Sequence, residues 1–565
     1  MDLNDWQPLC QDEVKYEEPI DHEAFFHRIV FIWRSQVHTV NTRISASKLV
    51  SADEKEHQEV VGQLPAEVVA LIQRGQAPYE IRKLIPKEKP YTPRSLFCYE
   101  VSFEDSASSE NELVALFYPQ QLDRASGTLN PMVHFPYAIG IKILDEKSLS
   151  FVLGTPIGVL LPETQWMREV AYPNLLRWIR NLDPTREIKP TNRLVNVETY
   201  FRRYNRIKSE HGFEIVKNWT EKTNPQKFVF EDCGIVSYLM ETWERTGKKP
   251  KYVADLGCGN GLLVHLLEKE GVAGVGLDIK ARRLWKGQLA GTNLKEMPVD
   301  PTLNPPALPK EVDYLIGNHS DELTPWIPVM AARLRCEFFL LPCCPFDFHG
   351  KFTQRPGKRT STYAGFLEFT KFVCRTLGYE IEEDRMSIPS SKRLCIIGRI
   401  PLGGLPPPES IEKTILELTA DRDGKPHVTF VARPRIQPVR NCTNIPRDLA
   451  QIITLRILKA LLEADPDANI DGWHTGGAVP IGEMIKLLQP EEKAYMKQQD
   501  GGFQTFLKNQ HQAFHIYEGA VHIRRFDLMK DKKKNLKKPT QFPCWFLKNH
   551  PDGCPYGVDC RFLHT

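Results

Sequence analysis

The sequence predicts an α/β protein whose middle third is a doubly wound, mostly parallel sheet. Two observations carry this reading. Between Asn196 and about Ile400, short apolar runs alternate with helical patterns at the spacing of βα units. One of those runs ends in three glycines at alternate positions, Gly257, Gly259 and Gly261, directly before an apolar helical stretch. At 565 residues the chain is too long for one core, and three or four segments are expected.

Residues 1–190 read as an α+β region of unknown role. "HEAFFHRIVFIWRSQVHTVNTRI" has helical periodicity, and "SLFCYEVSFED", "NELVALFYP" and "AIGIKILDE" read as antiparallel strands. The α/β region spans 196–400. "EDCGIVSYLMETWERT" predicts a helix, "KYVADLG" a strand, then a helix, then "GVGLDI" as the second strand. A helix from Lys280 and a proline-rich loop follow, and then come "VDYLIGN" (strand), "PVMAARLR" (helix), "EFFLLPCCPF" (strand), "YAGFLEFTKFVCRTLG" (helix) and "KRLCIIGRI" (strand). "PLGGLPPPES" reads as a linker. Residues 411–527 form a small α-rich segment, in which a helix, an extended run, a Glu-Gly turn and another extended run suggest a winged-helix-like module. The last segment, 540–565, is a cysteine-rich tail.

Composition narrows the function classes. A net charge of +3 excludes a uniformly basic nucleic-acid coat, and the densest basic run is local, "KDKKKNLKK" at 530–538. The acidic N-terminus has no apolar core of a secretory signal, and no stretch approaches the roughly 20 apolar residues of a membrane span. Thirteen cysteines in such a chain read as thiols and metal ligands rather than disulfides, so cytosol or nucleus is the expected compartment, with a cytoplasmic protein and no membrane partner as the reading taken.

The glycines define the chemistry. Glycine tolerates φ > 0 and lets a ligand lie against the backbone at a strand-to-helix turn. The dinucleotide fingerprint is G-x-G-x-x-G; here the spacing is G-x-G-x-G, which disfavours a nicotinamide dehydrogenase. Asp255 stands two residues ahead of Gly257, where it would repel a pyrophosphate but accept a bond from an ammonium group. Asp278 ends the second strand and suits the two hydroxyls of a ribose. An amino-acid head group plus a ribose without phosphate describes S-adenosyl-L-methionine. "DLGCGNG" resembles motif I of the class I methyltransferases that use it, with Asp278 at their second acidic position. The expected fold is therefore a Rossmann-like methyltransferase sheet, with Asp255, Gly257, Gly259, Gly261 and Asp278 as the cofactor set.

The tail places Cys544, Cys554, Cys560 and His564 at C-x9-C-x5-C-x3-H. Three thiolates and an imidazole make a closed tetrahedral Zn2+ site, and metal binding would supply the folding energy of so short a segment. The tail looks like a CCCH zinc finger, a family that commonly binds single-stranded RNA. Phe546, Tyr556 and Phe562 are its candidate base stackers, or packing around the metal. A finger behind a methyltransferase domain, with a basic run between, points to RNA as substrate.

Longer strings sharpen the resemblance. "NWTEKTNPQKFVFEDCGIVSYL", "VADLGCGNGLLVHLLEKEGVAGVGLDIKARRLW", "LIGNHSDELTPWIPVMAARL" and "FFLLPCCPFDF" resemble the eukaryotic tRNA(Ser) uridine-44 2'-O-methyltransferase family over roughly 195–442. That resemblance implies methylation of a ribose 2'-hydroxyl in serine tRNAs from S-adenosyl-L-methionine. A ribose hydroxyl is a poor nucleophile and needs a base, or a cation that lowers its pKa. "GNHSDELTPW" follows the fourth strand, where such groups belong, and His319 and Asp321 are rival bases. Cys343 and Cys344 raise an alternative, thiolate-assisted methylation of uracil C5, although cysteines at a strand end are more often packing residues. A non-catalytic RNA-binding adaptor is a further alternative, and the intact cofactor set argues against it.

Overall fold

The computed structural model describes residues 6–35, 44–75, 78–86, 98–109, 111–121, 135–159, 161–182, 191–221, 223–354, 361–420, 430, 442, 445–497, 499, 502–517, 519–525, 543–557, 560 and 562–564. The basic run at 530–538 lies outside them. The chain divides into two compact units, Met1–Arg433 and Pro434–Thr565.

The first unit contains two seven-stranded sheets. The N-terminal one comprises β1 (Trp6–Lys15), β2 (Ile44–Leu49), β3 (Tyr79–Pro86), β4 (Cys98–Ser109), β5 (Glu112–Gln121), β6 (Tyr137–Asp145) and β7 (Ser148–Pro156). All pairs are antiparallel, in the order β1-β7-β6-β5-β4-β3-β2. Helix His22–Ser35 covers one face with Phe25, Phe26, Ile29, Val30 and Trp33, as its apolar spacing dictates. Ala46 and Ile85 of the sheet's edge bury in the same cluster as Tyr200 and Trp243 further along the chain. Lys83 ties the edge down, its Nζ 2.8 Å from Glu56 and 3.1 Å from Glu198. The regions 1–190 and 196–400 therefore share core rather than being strung on a linker.

The second sheet is built from β8 (Tyr252–Leu256), β9 (Ala273–Asp278), β10 (Leu294–Glu296), β11 (Tyr314–Asn318), β12 (Glu337–Leu341), and, after a two-residue hairpin β13 (Phe346–Asp347) and β14 (Gly350–Lys351), β15 (Glu380–Arg385) and β16 (Leu394–Arg399). The order is β10-β9-β8-β11-β12-β16-β15. The first five strands are parallel; β16 runs antiparallel to β12 and to the edge strand β15, which therefore points the same way as the first five. Strands buried on both faces read as continuous apolar runs, as "YLIG" and "FFLL" do. One face carries helices Val197–Ile207, Pro225–Thr246 and Leu262–Lys269, and the other Ile327–Leu334, Thr362–Thr376 and Pro408–Thr419. This is the Rossmann-like arrangement, with its chain reversal beside β8.

The helix Pro225–Thr246 starts at Asn224, whose side chain accepts from the Lys227 N–H, and ends at Gly247 in the left-handed region. Val229, Cys233, Val236, Leu239 and Trp243 are buried. The helix Pro408–Thr419 corrects one expected boundary. Ile411 and Ile415 join the sheet's core, and the Arg333 guanidinium pairs with Glu412 at 2.9 Å. The segment from 411 to 419 thus belongs with the sheet, not with the small α-rich segment expected from 411.

In the second unit, helix Arg447–Ala464 is followed by the short strand Val479–Pro480, helices Pro490–Lys497 and Gly502–Asn509, and the hairpin Phe514–Tyr517 with Ala520–Ile523. The Val479 strand pairs with Ala520–Ile523, which pairs with Phe514–Tyr517. The cysteine-rich tail shares this unit's core: Cys544 and Phe546 cluster with Trp473, Phe506 and Phe514. Trp473 stacks on His550 at 4.2 Å, its Nε1 donates to the Gly553 carbonyl, and the His474 N–H donates to Asp552. The described residues of 540–565 therefore pack into this unit's core rather than forming a separate appendage.

Candidate functional site

The site lies at the carboxyl ends of β8, β9, β11 and β12. Their register sets Asp255 beside Gly276 and Ile316, and Asn318 beside Leu341. β8 ends at Leu256, and Gly257, Gly259 and Gly261 follow at φ +78°, +55° and +79°. The Gly257 and Cys258 N–H groups donate to the Leu277 carbonyl at 2.8 and 3.1 Å, pinning the turn to β9. The glycines serve different ends. A Cβ on Gly261 would stand 2.4 Å from Leu294 Cδ1 and 3.1 Å from Trp285 Nε1, whereas one on Gly259 would meet nothing within 4 Å. Gly261 is required by packing, and Gly259 leaves an open face that a ligand can approach.

Asp278 holds the loop from the next strand. Its Oδ2 accepts from the Gly259 N–H at 2.9 Å and its Oδ1 from the Lys280 N–H at 3.0 Å. Trp285 Nε1 donates to the Gly259 carbonyl at 3.1 Å. Beside Gly259 and Asn260 is a cleft of about 520 Å³, lined also by Thr220, Glu221, Phe228 and Arg282. Thr220, Glu221 and Phe228 belong to the "NWTEKTNPQKF" string, which the fold thus brings to the glycine loop.

The loop sits among acids. Asp255 is 1% exposed, its Oδ1 has no hydrogen-bond partner among the described residues, and burial, then the charges of Asp232 and Asp278, push its pKa well up. Burial, reinforced by the charge of Glu231, pushes Asp232 up to about 8, against hydrogen bonds from Asn260 and Asn318. Such a cluster is costly without a counter-charge and favours a cationic ligand. S-adenosyl-L-methionine carries both an ammonium and a sulfonium. Asp232 was missed from the sequence. Its signal was the pair Glu231–Asp232 inside an otherwise apolar helical stretch, "FVFEDCGIVSYL".

Beyond β11, His319 and Asp321 adopt φ of +54° and +47°. Non-glycine residues occupy that region only when their surroundings hold them there. The His319 N–H donates to the Leu341 carbonyl at 3.1 Å, and its Nε2 lies 2.9 Å from Glu231 Oε1. His319 Nδ1 is buried without a hydrogen-bond partner among the described residues. Asp321 Oδ1 accepts from the Cys343 thiol at 3.0 Å. A hydrogen bond to Cys344, then burial and the nearby Asp321 charge, raise the Cys343 pKa. That is opposite to the activation a thiolate nucleophile needs, and it weighs against C5 chemistry.

In the second unit, one ligand atom from each of Cys544, Cys554, Cys560 and His564 lies within 4.8 Å of the others. Cys560 Sγ is 3.7 Å from Cys544 Sγ, close to the ~3.8 Å that two thiolates span across a tetrahedral zinc at ~2.3 Å. The donor set and spacing therefore fit Zn2+. Phe546 is buried, edge-on to Trp473 at 5.6 Å, and is a core residue rather than a base stacker. Tyr556 and Phe562 are half-buried.

A family described as "Predicted AdoMet-dependent methyltransferase" matches residues 194–298. The "Probable tRNA (uracil-O(2)-)-methyltransferase" of Caenorhabditis elegans is 40% identical over 99% of this chain and 99% of its own length. The human protein of the same name is 31% identical over 86% of this chain and 74% of its own. Among solved structures, the magnesium protoporphyrin IX methyltransferase of Synechocystis PCC 6803 with bound SAM is similar over 36% of this chain and 91% of its own, at 19% identity and a TM-score of 0.21. Full-length identity of 40%, together with the glycine loop and its acids, places this chain in the tRNA (uracil-O(2)-)-methyltransferase family.

Proposed function

We propose that the chain transfers the methyl group of S-adenosyl-L-methionine to the ribose 2'-oxygen of a uridine in tRNA, with uridine 44 of serine tRNAs as the target. The observation that carries the cofactor half is the open backbone at Gly259 between Asp255 and Asp278, set in a cluster of buried acids. Asp278 would hold the ribose hydroxyls while keeping the loop in shape. Asp255 and Asp232 would answer the positive charges. Asp255 and Asp278, with Gly257, Gly259 and Gly261, are the set the sequence proposes for the cofactor.

The acceptor side would lie at the ends of β11 and β12. His319 is the base we favour over Asp321. With Nε2–H donated to Glu231, its Nδ1 keeps a lone pair for the proton of the hydroxyl. Glu231 fixes the tautomer and would stabilise the imidazolium. Asp321 already receives the Cys343 thiol. Methyl transfer then forms the bond between the ribose 2'-oxygen and the methyl carbon, breaks the methyl–sulfonium bond, passes the hydroxyl proton to His319, and leaves S-adenosylhomocysteine.

The second unit is the tRNA-docking part of this reading. The tail's cluster would hold Zn2+ in a CCCH finger, and Tyr556 and Phe562 would stack on unpaired bases. The helix–strand–helix–helix–hairpin order supports a winged-helix, RNA-binding role for the rest of the unit. Among the described residues no helix is long and apolar enough to cross a membrane, and a cytoplasmic tRNA-processing enzyme is the setting we propose.

Mapping ribose methylation on total tRNA from cells lacking this protein tests the function. The expected result is loss of one 2'-O-methyl mark, at uridine 44 of serine tRNAs. An unchanged ribose map would refute it.

A further inference from the structure

We propose that Asp321, Cys343 and Cys344 form a second metal site, of the open three-ligand kind, for a thiophilic divalent cation of the zinc class. Asp321 follows β11 and the two cysteines follow β12, neighbouring parallel strands whose register sets Asn318 beside Leu341. The strand ends at Leu341, so Cys343 and Cys344 are freed from the alternation that would send adjacent side chains to opposite faces. One ligand atom from each of the three residues lies within 4.8 Å of the other two, the same closeness as in the tail's cysteine–histidine cluster. Cys343 Sγ and Asp321 Oδ1 are 3.0 Å apart.

Two sulfurs and a carboxylate oxygen around one point match zinc, with Zn–S of ~2.3 Å and Zn–O of ~2.0–2.2 Å. The sulfur donors disfavour Mg2+ and Ca2+, which take oxygen. Three protein ligands leave the fourth tetrahedral position open, and Cys344 is solvent-exposed, so an ion has a route in. Binding converts both thiols to thiolates and releases two protons to solvent.

The role of this site rests on the ribose reading above. The open position would take water in the resting enzyme and the ribose 2'-oxygen in the complex. A bound cation lowers the pKa of the hydroxyl it holds, as it does for water. The proton leaves to His319, the oxygen takes the methyl from the sulfonium, and S-adenosylhomocysteine departs. No further reactant is required.

The test is metal content of the purified full chain after zinc loading and dialysis. We expect two equivalents in the wild type, one in Cys344→Ser and one in Cys560→Ser. In the cobalt-substituted protein, the sulfur-to-metal band should fall by about two-fifths in the Cys343→Ser, Cys344→Ser double variant, as five thiolates become three. Asp321→Asn, which removes no thiol, should weaken the second equivalent alone. Far-UV circular dichroism and S-adenosyl-L-methionine affinity check that each variant is folded. A single equivalent in the wild type that disappears in Cys560→Ser would overturn the site, as would an unchanged cobalt band in the folded double variant. The metal count needs no RNA, so its outcome is separate from failure of the ribose reading.

Discussion

The two outer functions of the glycine loop separate in a pair of substitutions, Gly259→Ala and Gly261→Ala. Both positions have positive φ, and an L-residue there costs about 1–2 kcal/mol. At Gly259 nothing else is lost, because a Cβ meets no atom within 4 Å. At Gly261 the methyl falls 2.4 Å from Leu294 Cδ1, and moving that packed side chain adds about 1–3 kcal/mol. Urea unfolding should therefore place Gly261→Ala about 2–5 kcal/mol below wild type and Gly259→Ala only about 1–2 kcal/mol below. Cofactor affinity should run the other way relative to stability. The methyl of Gly259→Ala fills the open face beside the cleft, and a loss of ligand contact worth ~1.4 kcal/mol or more is tenfold or more in Kd by calorimetry. A stable Gly259→Ala protein that binds S-adenosyl-L-methionine like wild type would refute the assignment of that face to the cofactor. Equal stability of the two variants would refute the packing argument.

Cofactor binding should be coupled to protons. The folded-state pKa of Asp232 is about 8, against about 3.9 for an ordinary aspartate, so the protonated form is favoured by folding. The cofactor-free protein should lose stability as pH rises from about 4 to about 8, while affinity for the cationic cofactor should climb with pH and level off above about 8. Calorimetry in two buffers of different ionisation enthalpy reads the released protons, and Asp232→Asn should release fewer; a pH-independent Kd would contradict this. Cys560→Ser should release the tail's metal and lower the melting temperature of the whole Pro434–Thr565 unit, because Cys544 and Phe546 lie in its core. In that variant KM for tRNA should rise while cofactor affinity holds, and unchanged KM would mean the finger does not dock tRNA. Arg393, whose pKa is lowered by burial and by the charge of Arg385, neighbours Lys392, which stands 3.7 Å over Tyr363. Tyr363 donates to the Pro342 carbonyl beside Cys343. If this cationic ledge meets RNA phosphate, Arg393→Glu should raise KM for tRNA about tenfold at unchanged kcat and reduce the salt slope by about one.

The parts of this molecule legible in the sequence are those set by local pattern. The apolar runs of β8, β9, β11 and β12 are buried on both faces, so they announce themselves, and glycines at Gly257, Gly259 and Gly261 mark positive φ. The strands "WQPLCQDEVK" and "EIEEDR" were not legible. β1 is an edge strand whose polar residues are largely exposed, and β15 is another whose Glu382, Glu383 and Asp384 are held by Arg399, Lys371 and Tyr238, so neither reads as an apolar run. β10 has only three residues and is defined by its pairing with β9. The last strand's antiparallel direction is likewise a tertiary fact, set by β16 turning back on β15 to insert beside β12. Within the site, the sequence proposed Asp278 for the cofactor but gave no sign of its grip on the Gly259 N–H, and it left His319 and Asp321 as equals. Only the fold brings Glu231, 88 residues earlier in the chain, to His319 Nε2. The tail's metal spacing was plain, yet its docking on Trp473 rests on contacts from residues some 80 positions away.

The central claim is that the methyl group goes to a ribose oxygen. A serine tRNA carrying a single 2'-deoxyuridine at the target position tests it directly, since only the proposed nucleophile is removed. With radiolabelled S-adenosyl-L-methionine, the unmodified tRNA should be methylated and the 2'-deoxy tRNA should accept no label. Label incorporated into the deoxy substrate would place the methyl on the uracil base and contradict the account.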